Sequence, residues 1–301
     1  MRNALILVLL ALHGTARAAE PHFELKSSSD TLLPGAILRV ELKPSADAPA
    51  VESAEGSFAD HRILFFRSAP VPDSPWIAFL GVPHWLRSAP PRMEVQVRTA
   101  QGSETVSIAF AVPDWAYMSD HLAFPAAASE KLKVPVRLAK LSAKDFERTK
   151  KEKAEMLKIY GTLRAEKLWN EPFRQPMKSA ITSRFGNQRT LNGKSRAIHD
   201  GVDFRARTPS QAFASARGRV AVAKALFYSG NVVVLDHGYG IFTIYGHLSK
   251  IGVKVGQLVE AGDLIGLSGA TGRVTGPHLH WGAVVNQEKV DPLQLISIIK
   301  D

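Results

Sequence analysis

The sequence contains no cysteine. That absence excludes disulfides, thiolate metal sites, iron–sulfur clusters, a cysteine nucleophile and a lipid-anchored N-terminal Cys. Any metal site must therefore be built from His, Asp or Glu. Long apolar runs are missing too. The run from Ala4 to Leu12 is too short for the roughly 20 residues that span a bilayer, and no later stretch comes closer. Acidic residues are in deficit: 28 Asp plus Glu stand against 38 Lys plus Arg, a formal charge of +10. Such a balance favours anionic partners, whether nucleic acid, anionic lipid or an acidic wall polymer. The rest is ordinary for a globular chain, with 45% hydrophobic and 22% charged residues over 301 positions. At about 150 residues per domain, that length suggests two domains.

The N-terminus narrows the choice of partner. Arg2, the short apolar run and Ala16-Arg17-Ala18 have the layout of a secretory signal peptide covering residues 1–18. The reading predicts an exported protein without a transmembrane segment, periplasmic or alternatively secreted. Export argues against nucleic acid as the natural ligand and favours an extracytoplasmic polyanion.

Three stretches follow. Residues 19–125 hold short alternating runs cut by Pro, Gly and Ser, among them Ala36 to Leu42, Arg62 to Phe66, Trp76 to Leu80, Met93 to Val97 and Val106 to Val112. Runs spaced in this way predict an immunoglobulin-like β-sandwich. His22, His61, His84 and His121 are scattered through it and read as surface or core histidines. Residues 126–170 form a linker and a charged helix. Ser142 with Asp145 resembles a capping box, and Lys144 to Lys158 is rich in Lys and Glu with few breakers. Phe146, Lys150, Lys153, Leu157 and Tyr160 would share one helix face, an apolar stripe broken by two lysines. Such a helix is a solvated connector, or it touches an anionic polymer or covers a groove. Residues 171–301 read as a compact unit of antiparallel strands. There Asn231 to Asp236 and Ile241 to Tyr245 flank a His237-Gly238-Tyr239-Gly240 turn. The fold class is mainly β throughout.

Histidines of this last stretch carry the chemistry. His199-Asp200-Gly201-Val202-Asp203 sets an imidazole and a carboxylate four apart, with a glycine that lets the chain bend. His278 and His280 are two apart, so in a strand both face one site while Leu279 points to the core. His247 closes another strand and can face inward. Zinc takes imidazole nitrogen and carboxylate oxygen, and a catalytic site keeps three protein ligands with one position open. Those three can be drawn from His199, Asp203 and one histidine of the pair. The two histidines left over give a metallo-hydrolase its base and its oxyanion donor. His237 lies in a tight turn and reads as structural.

The stretch from Ile181 to Trp281 resembles the lysostaphin-type, or LytM-domain, peptidoglycan endopeptidases. The resemblance rests on Ile181-Thr182-Ser183-Arg184-Phe185-Gly186, His199-Asp200-Gly201-Val202-Asp203, Tyr245-Gly246-His247-Leu248-Ser249 and Thr271-Gly272-Arg273-Val274-Thr275-Gly276-Pro277-His278-Leu279-His280. It implies a LytM-type antiparallel β domain with a narrow groove and a Zn2+ ion held by His199, Asp203 and His280. It also implies that His278 is the catalytic base and that His247 orients or stabilises the tetrahedral intermediate. The implied substrate is the peptide cross-link of peptidoglycan. An N-terminal β domain and a Lys/Glu-rich helix are similar to a Gram-negative-type exported subgroup, which points to D-Ala–diaminopimelate bonds, with a glycine bridge as the competing substrate. Where many members have an aromatic followed by Glu after the histidine pair, this chain has Trp281-Gly282.

Two other classes stand beside this reading. One is a non-catalytic wall-binding protein or activator of cell-wall amidases, although every expected ligand is retained. The other is a biotinyl-type carrier domain, which Val253 to Ser268 resembles but which would leave the histidines unexplained. Either role suits the N-terminal domain, positioning the enzyme on the wall or blocking its groove. A monomer is favoured.

Overall fold

The structure, a computed structural model, describes residues 21–71, 73–83, 86, 92–113, 141–191 and 195–299. The signal-like segment, His84, His121 and residues 126–140 of the linker lie outside them.

Eight strands build the N-terminal part: β1 (Phe23–Ser27), β2 (Ile37–Pro44), β3 (Val51–Phe58), β4 (His61–Leu64), β5 (Phe66–Arg67), β6 (Trp76–Gly81), β7 (Arg92–Thr99) and β8 (Gly102–Ala109). They form two four-stranded antiparallel sheets, in the orders β1-β2-β6-β5 and β4-β3-β7-β8. The sheets face each other across a core that includes Leu38, Val40, Leu42, Leu80, Val95 and Val97. In β7 the side chains alternate, with Met93, Val95 and Val97 buried and Glu94, Gln96 and Arg98 exposed, because one face is solvated. Strand β6 is apolar on both faces. Ala78 and Leu80 enter the sandwich, while Ile77 and Phe79 point out of it. That outer face is covered. Ile37, Phe66, Ile77 and Phe79 pack against Trp169, Phe173, Val285, Leu295 and Ile299. The ring of Phe66 stacks on Tyr239 at 4.2 Å and meets Trp169 edge-on at 5.6 Å.

Helix α1 (Ala143–Tyr160) starts at Ser142, whose hydroxyl oxygen accepts from the Asp145 N–H at 3.0 Å. Its packed side differs from the expected stripe. Phe146 and Leu157 are exposed, and the apolar contact is made by Met156, Ile159 and Tyr160 at the last turn. Further up, the helix is held by polar contacts. Glu152 accepts from the Phe227 N–H at 2.8 Å, and Glu155 pairs with Lys224 at 2.6 Å.

The C-terminal part contains β9 (Ile181–Ser183), β10 (Gln188–Leu191), β11 (Ser195–Ile198), β12 (Val202–Arg205), β13 (Gln211–Phe213), β14 (Gly218–Leu226), β15 (Gly230–Gly238), β16 (Ile241–Ile251), β17 (Leu258–Val259), β18 (Leu264–Ser268), β19 (His278–Val285), β20 (Glu288–Val290) and the short helix α2 (Pro292–Ile298). The spine of the sheet runs β17-β14-β15-β16-β19-β12-β9, with antiparallel pairing between neighbours. One face carries Val220, Val233, Leu235, Tyr245, Leu279 and Trp281 into a fully buried core. On the other face Val232, Val234, Phe242, Ile244 and Val284 receive α1. By the same alternation, His278 and His280 lie on the face that α1 covers. Ala283 and Val285, which meet the sandwich, turn to the opposite face. The helix therefore shares the histidine face, and the sandwich docks behind it.

His237 is fully buried. Its Nδ1–H donates to the Arg217 carbonyl at 2.8 Å, and Nε2 lies 2.8 Å from Thr243 Oγ1. Burial lowers its imidazole from the ordinary 6.5 to about 4, against the opposing pull of the Arg217 carbonyl and Asp236. The neutral ring is thus favoured in the folded state. Its contribution is complete above pH 6.5 and is lost as pH falls from 6.5 toward 4, in total about 3 kcal/mol. Urea midpoints at pH 7 and pH 4.5 measure this. The parent should lose more stability between the two than His237→Gln, and equal losses would assign the acid sensitivity to other groups.

Candidate active site

Three strands lie side by side at the centre of the site. Pairing sets Gly246 of β16 opposite His280 of β19, and His280 opposite Asp203 of β12. Side chains directly opposite on one face are close neighbours, so Asp203 and His280 are brought together by register alone. His278 stands two residues along the same face, opposite Arg205. Leu279 between them is completely buried in the core, as the spacing predicts.

His199 lies just before β12. Its N–H donates to the Asn187 carbonyl at 2.9 Å, and its own carbonyl accepts from the Gly186 N–H at 2.9 Å. These bonds hold the ring over the strand, buried and 2.9 Å from Asp203 through Nε2. Gly201 bends the chain as expected and also permits a close approach. A Cβ there would sit 2.5 Å from the Trp281 carbonyl oxygen and 2.6 Å from His280 Cε1, so only glycine lets the His199 loop and β19 approach so closely.

One atom from each of His199, Asp203 and His280 lies within 4.8 Å of the other two. His199 Nε2 and His280 Nδ1 are 2.9 and 3.0 Å from Asp203 Oδ1, and 3.2 Å from each other. The Arg184 carbonyl, 2.9 Å from His199 Nδ1, can only accept, so Nδ1 carries the proton and Nε2 of the neutral ring is bare. A bare imidazole nitrogen then faces a carboxylate oxygen at hydrogen-bond distance. A cation between them resolves that repulsion. Two nitrogens and one carboxylate oxygen form a donor set that zinc takes, and the residues fit such an ion.

The two remaining histidines flank this cluster. His278 donates Nδ1–H to the Gly276 carbonyl at 2.9 Å and turns Nε2 toward Asp203 Oδ1, 3.7 Å away. His247 reaches the site through a bulge. Leu248 pairs with Asn231 and Tyr245 with Val233, so Gly246 and His247 together oppose a single residue of β15. His247 adopts φ +61°, a conformation uncommon for a residue with a side chain. Its ring centroid comes within 4.7 Å of His278 and 5.9 Å of His280. The Nδ1–H donates to the Thr271 carbonyl at 3.0 Å. Burial, then the neighbouring His280 and His278, push its pKa down to about 3, so the ring is neutral.

All five residues singled out in the sequence converge here. His22 and His61 do not, since they pair with Glu104 and Glu288, each at 3.1 Å. Sequence reasoning missed the carbonyls of Arg184, Thr271 and Gly276, which carry no side-chain signature. It also passed over Asp200, inside a motif it had marked. Tyr160 of α1 lies near this group: burial, and then the Asp200 charge, push its phenol up.

Residues 197–292 match the model of Peptidase family M23. The chain is 41% identical over 115 residues to Peptidoglycan DD-endopeptidase ShyB of Vibrio cholerae serotype O1, covering 38% of this chain and 27% of that protein. Against Peptidoglycan DD-endopeptidase ShyA of the same organism it is 46% identical over 98 residues, covering 33% and 23%. It therefore spans less than a third of the length of these curated relatives. A crystal structure from Pseudomonas aeruginosa described as a peptidase M23 superposes with a TM-score of 0.65 at 26% identity. It covers 88% of this chain and 95% of that one, so the likeness takes in the sandwich as well as the large sheet.

Proposed function

Because the chain carries a peptidase family M23 domain over residues 197–292, we propose that it is an exported, zinc-dependent peptidoglycan DD-endopeptidase working in the periplasm. The carrying observation is the buried convergence of His199, Asp203 and His280 with two further imidazoles alongside. Retention of all five residues favours an enzyme over a wall-binding or activating relative.

His199 through Nε2, Asp203 through a carboxylate oxygen and His280 through Nδ1 would hold the metal. When bound, zinc supplies Lewis acidity to a water and to the scissile carbonyl. His278 has its Nδ1–H committed to the Gly276 carbonyl, so Nε2 is the atom that accepts the proton of the attacking water. The same nitrogen then returns the proton to the leaving amine. His247 also has its Nδ1–H committed, to Thr271, and its neutral ring offers Nε2 as an acceptor. That bonding favours orienting a substrate N–H. Donation to the oxyanion would require a second proton on the ring. Tyr160 and the last turn of α1 pack on the same sheet face, against Phe242 and Val284.

The substrate reading follows the names of the relatives, DD-endopeptidases of peptidoglycan, and the +10 charge, which suits an anionic wall. A defined D-Ala–diaminopimelate cross-linked peptide dimer and a glycine-bridged peptide, incubated in parallel with the zinc-loaded chain, test it. Cleavage of the first into two monomers with the second intact is the expected result. The reverse pattern would transfer the activity to glycine bridges.

A further inference from the structure

Each of the four imidazoles at the site uses one nitrogen inward and one outward. For three of them the outward nitrogen is fixed by the main chain. His199 donates to the Arg184 carbonyl, His247 to Thr271 and His278 to Gly276, at 2.9, 3.0 and 2.9 Å. His280 is different. Its Nδ1 faces Asp203, and its outward Nε2 faces a side chain, the carboxylate of Asp200, at 3.6 Å. The other oxygen of that carboxylate is gripped by the Lys289 ammonium, from β20, which pairs directly with β19.

We propose that Asp200, clamped by Lys289, is the outer positioning partner of His280, holding its Nε2–H so that Nδ1 is presented to zinc. The inference rests on the ligand assignment above. A carboxylate on the far nitrogen of a ligating imidazole fixes its tautomer and ring orientation and raises its basicity, and losing such a partner weakens metal binding about 10–100-fold. At 3.6 Å the contact is an ion-pair distance, longer than a hydrogen bond. Asp200 therefore acts first by charge, and by a direct bond as the ring settles on the metal. Asp200 touches no substrate and is a positioning residue. Lys289 acts through it, keeping the carboxylate turned to the ring.

Competition with a chromophoric chelator gives the zinc dissociation constant of the full chain. Asp200→Ala should weaken zinc about 10–100-fold, with the thermal midpoint of the metal-free protein little changed. Asp200→Asn keeps the size and an acceptor oxygen but removes the charge, and should fall between parent and alanine; it serves equally if the alanine variant folds poorly. Lys289→Met should weaken zinc in the parent background and have no further effect beside Asp200→Ala, because a residue acting through another is silent once that other is gone. X-ray absorption at the zinc edge should still count two imidazoles in Asp200→Ala. Dissociation constants within twofold of the parent for both Asp200 variants would overturn the proposal. A parent chain that binds no zinc at all would instead overturn the ligand assignment beneath it.

Discussion

His280→Ala should lose its zinc and, with it, all measurable hydrolysis. The effect is the largest expected for any single substitution because His280 supplies one of only three protein atoms in the cluster, 3.0 Å from Asp203 and 3.2 Å from His199. Two ligands leave a binding site that dialysis empties, and Asp203 keeps one imidazole neighbour in place of two. The parent stripped by a chelator should match the variant in activity. Added zinc should restore the stripped parent and leave His280→Ala inactive. Metal content after dialysis decides the matter. Zinc near one per chain in the variant would remove His280 from the ligand set.

His278→Ala should behave in the opposite way toward the metal. The His278 ring lies on the same face as His280, but its Nε2 is 3.7 Å from Asp203 Oδ1, outside the 2.9–3.2 Å spacings of the three-atom cluster. Zinc content should therefore stay near one per chain. The loss should fall on turnover, about 10²–10⁴-fold for removal of a general base, with KM close to the parent value. A parallel fall in kcat and zinc content would show that the two histidines of the pair had been assigned the wrong way round.

Much of this site could be read before any coordinates because its main device is local. His278 and His280 share a face through strand alternation, and burial of Leu279 follows from the same alternation. Likewise β7 and the hairpin of β15 and β16 follow from the pattern of apolar residues. Other features depend on partners distant in the sequence. Strand β3, with the sequence VESAEGSF, buries only Ala54 and Phe58, so its hydrophobic pattern is too thin to mark a strand; pairing with β4 and β7 makes it one. The packed face of α1 departs from the expected stripe because Phe146 and Leu157, though apolar, are exposed among the described residues. Met156, Ile159 and Tyr160 meet the sheet, and two glutamates anchor the rest. His247 reads as the close of a strand over Ile241 to Tyr245, but β16 runs on to Ile251, and the bulge that turns the residue into the site is set by pairing with β15. Gly201 bends the chain as the local sequence predicts, but the close approach it permits to the His280 ring, 79 positions away, has no local signature.

The central claim is that this cluster hydrolyses peptidoglycan cross-links. It is tested most directly by incubating purified Gram-negative sacculi with the zinc-loaded full chain and separating the released muropeptides by chromatography and mass. Cross-linked dimers should fall and monomers rise in matching amounts, and neither change should occur with His278→Ala or with chelator present. Dimers that persist with the zinc-loaded parent, or that disappear equally with His278→Ala, would contradict it.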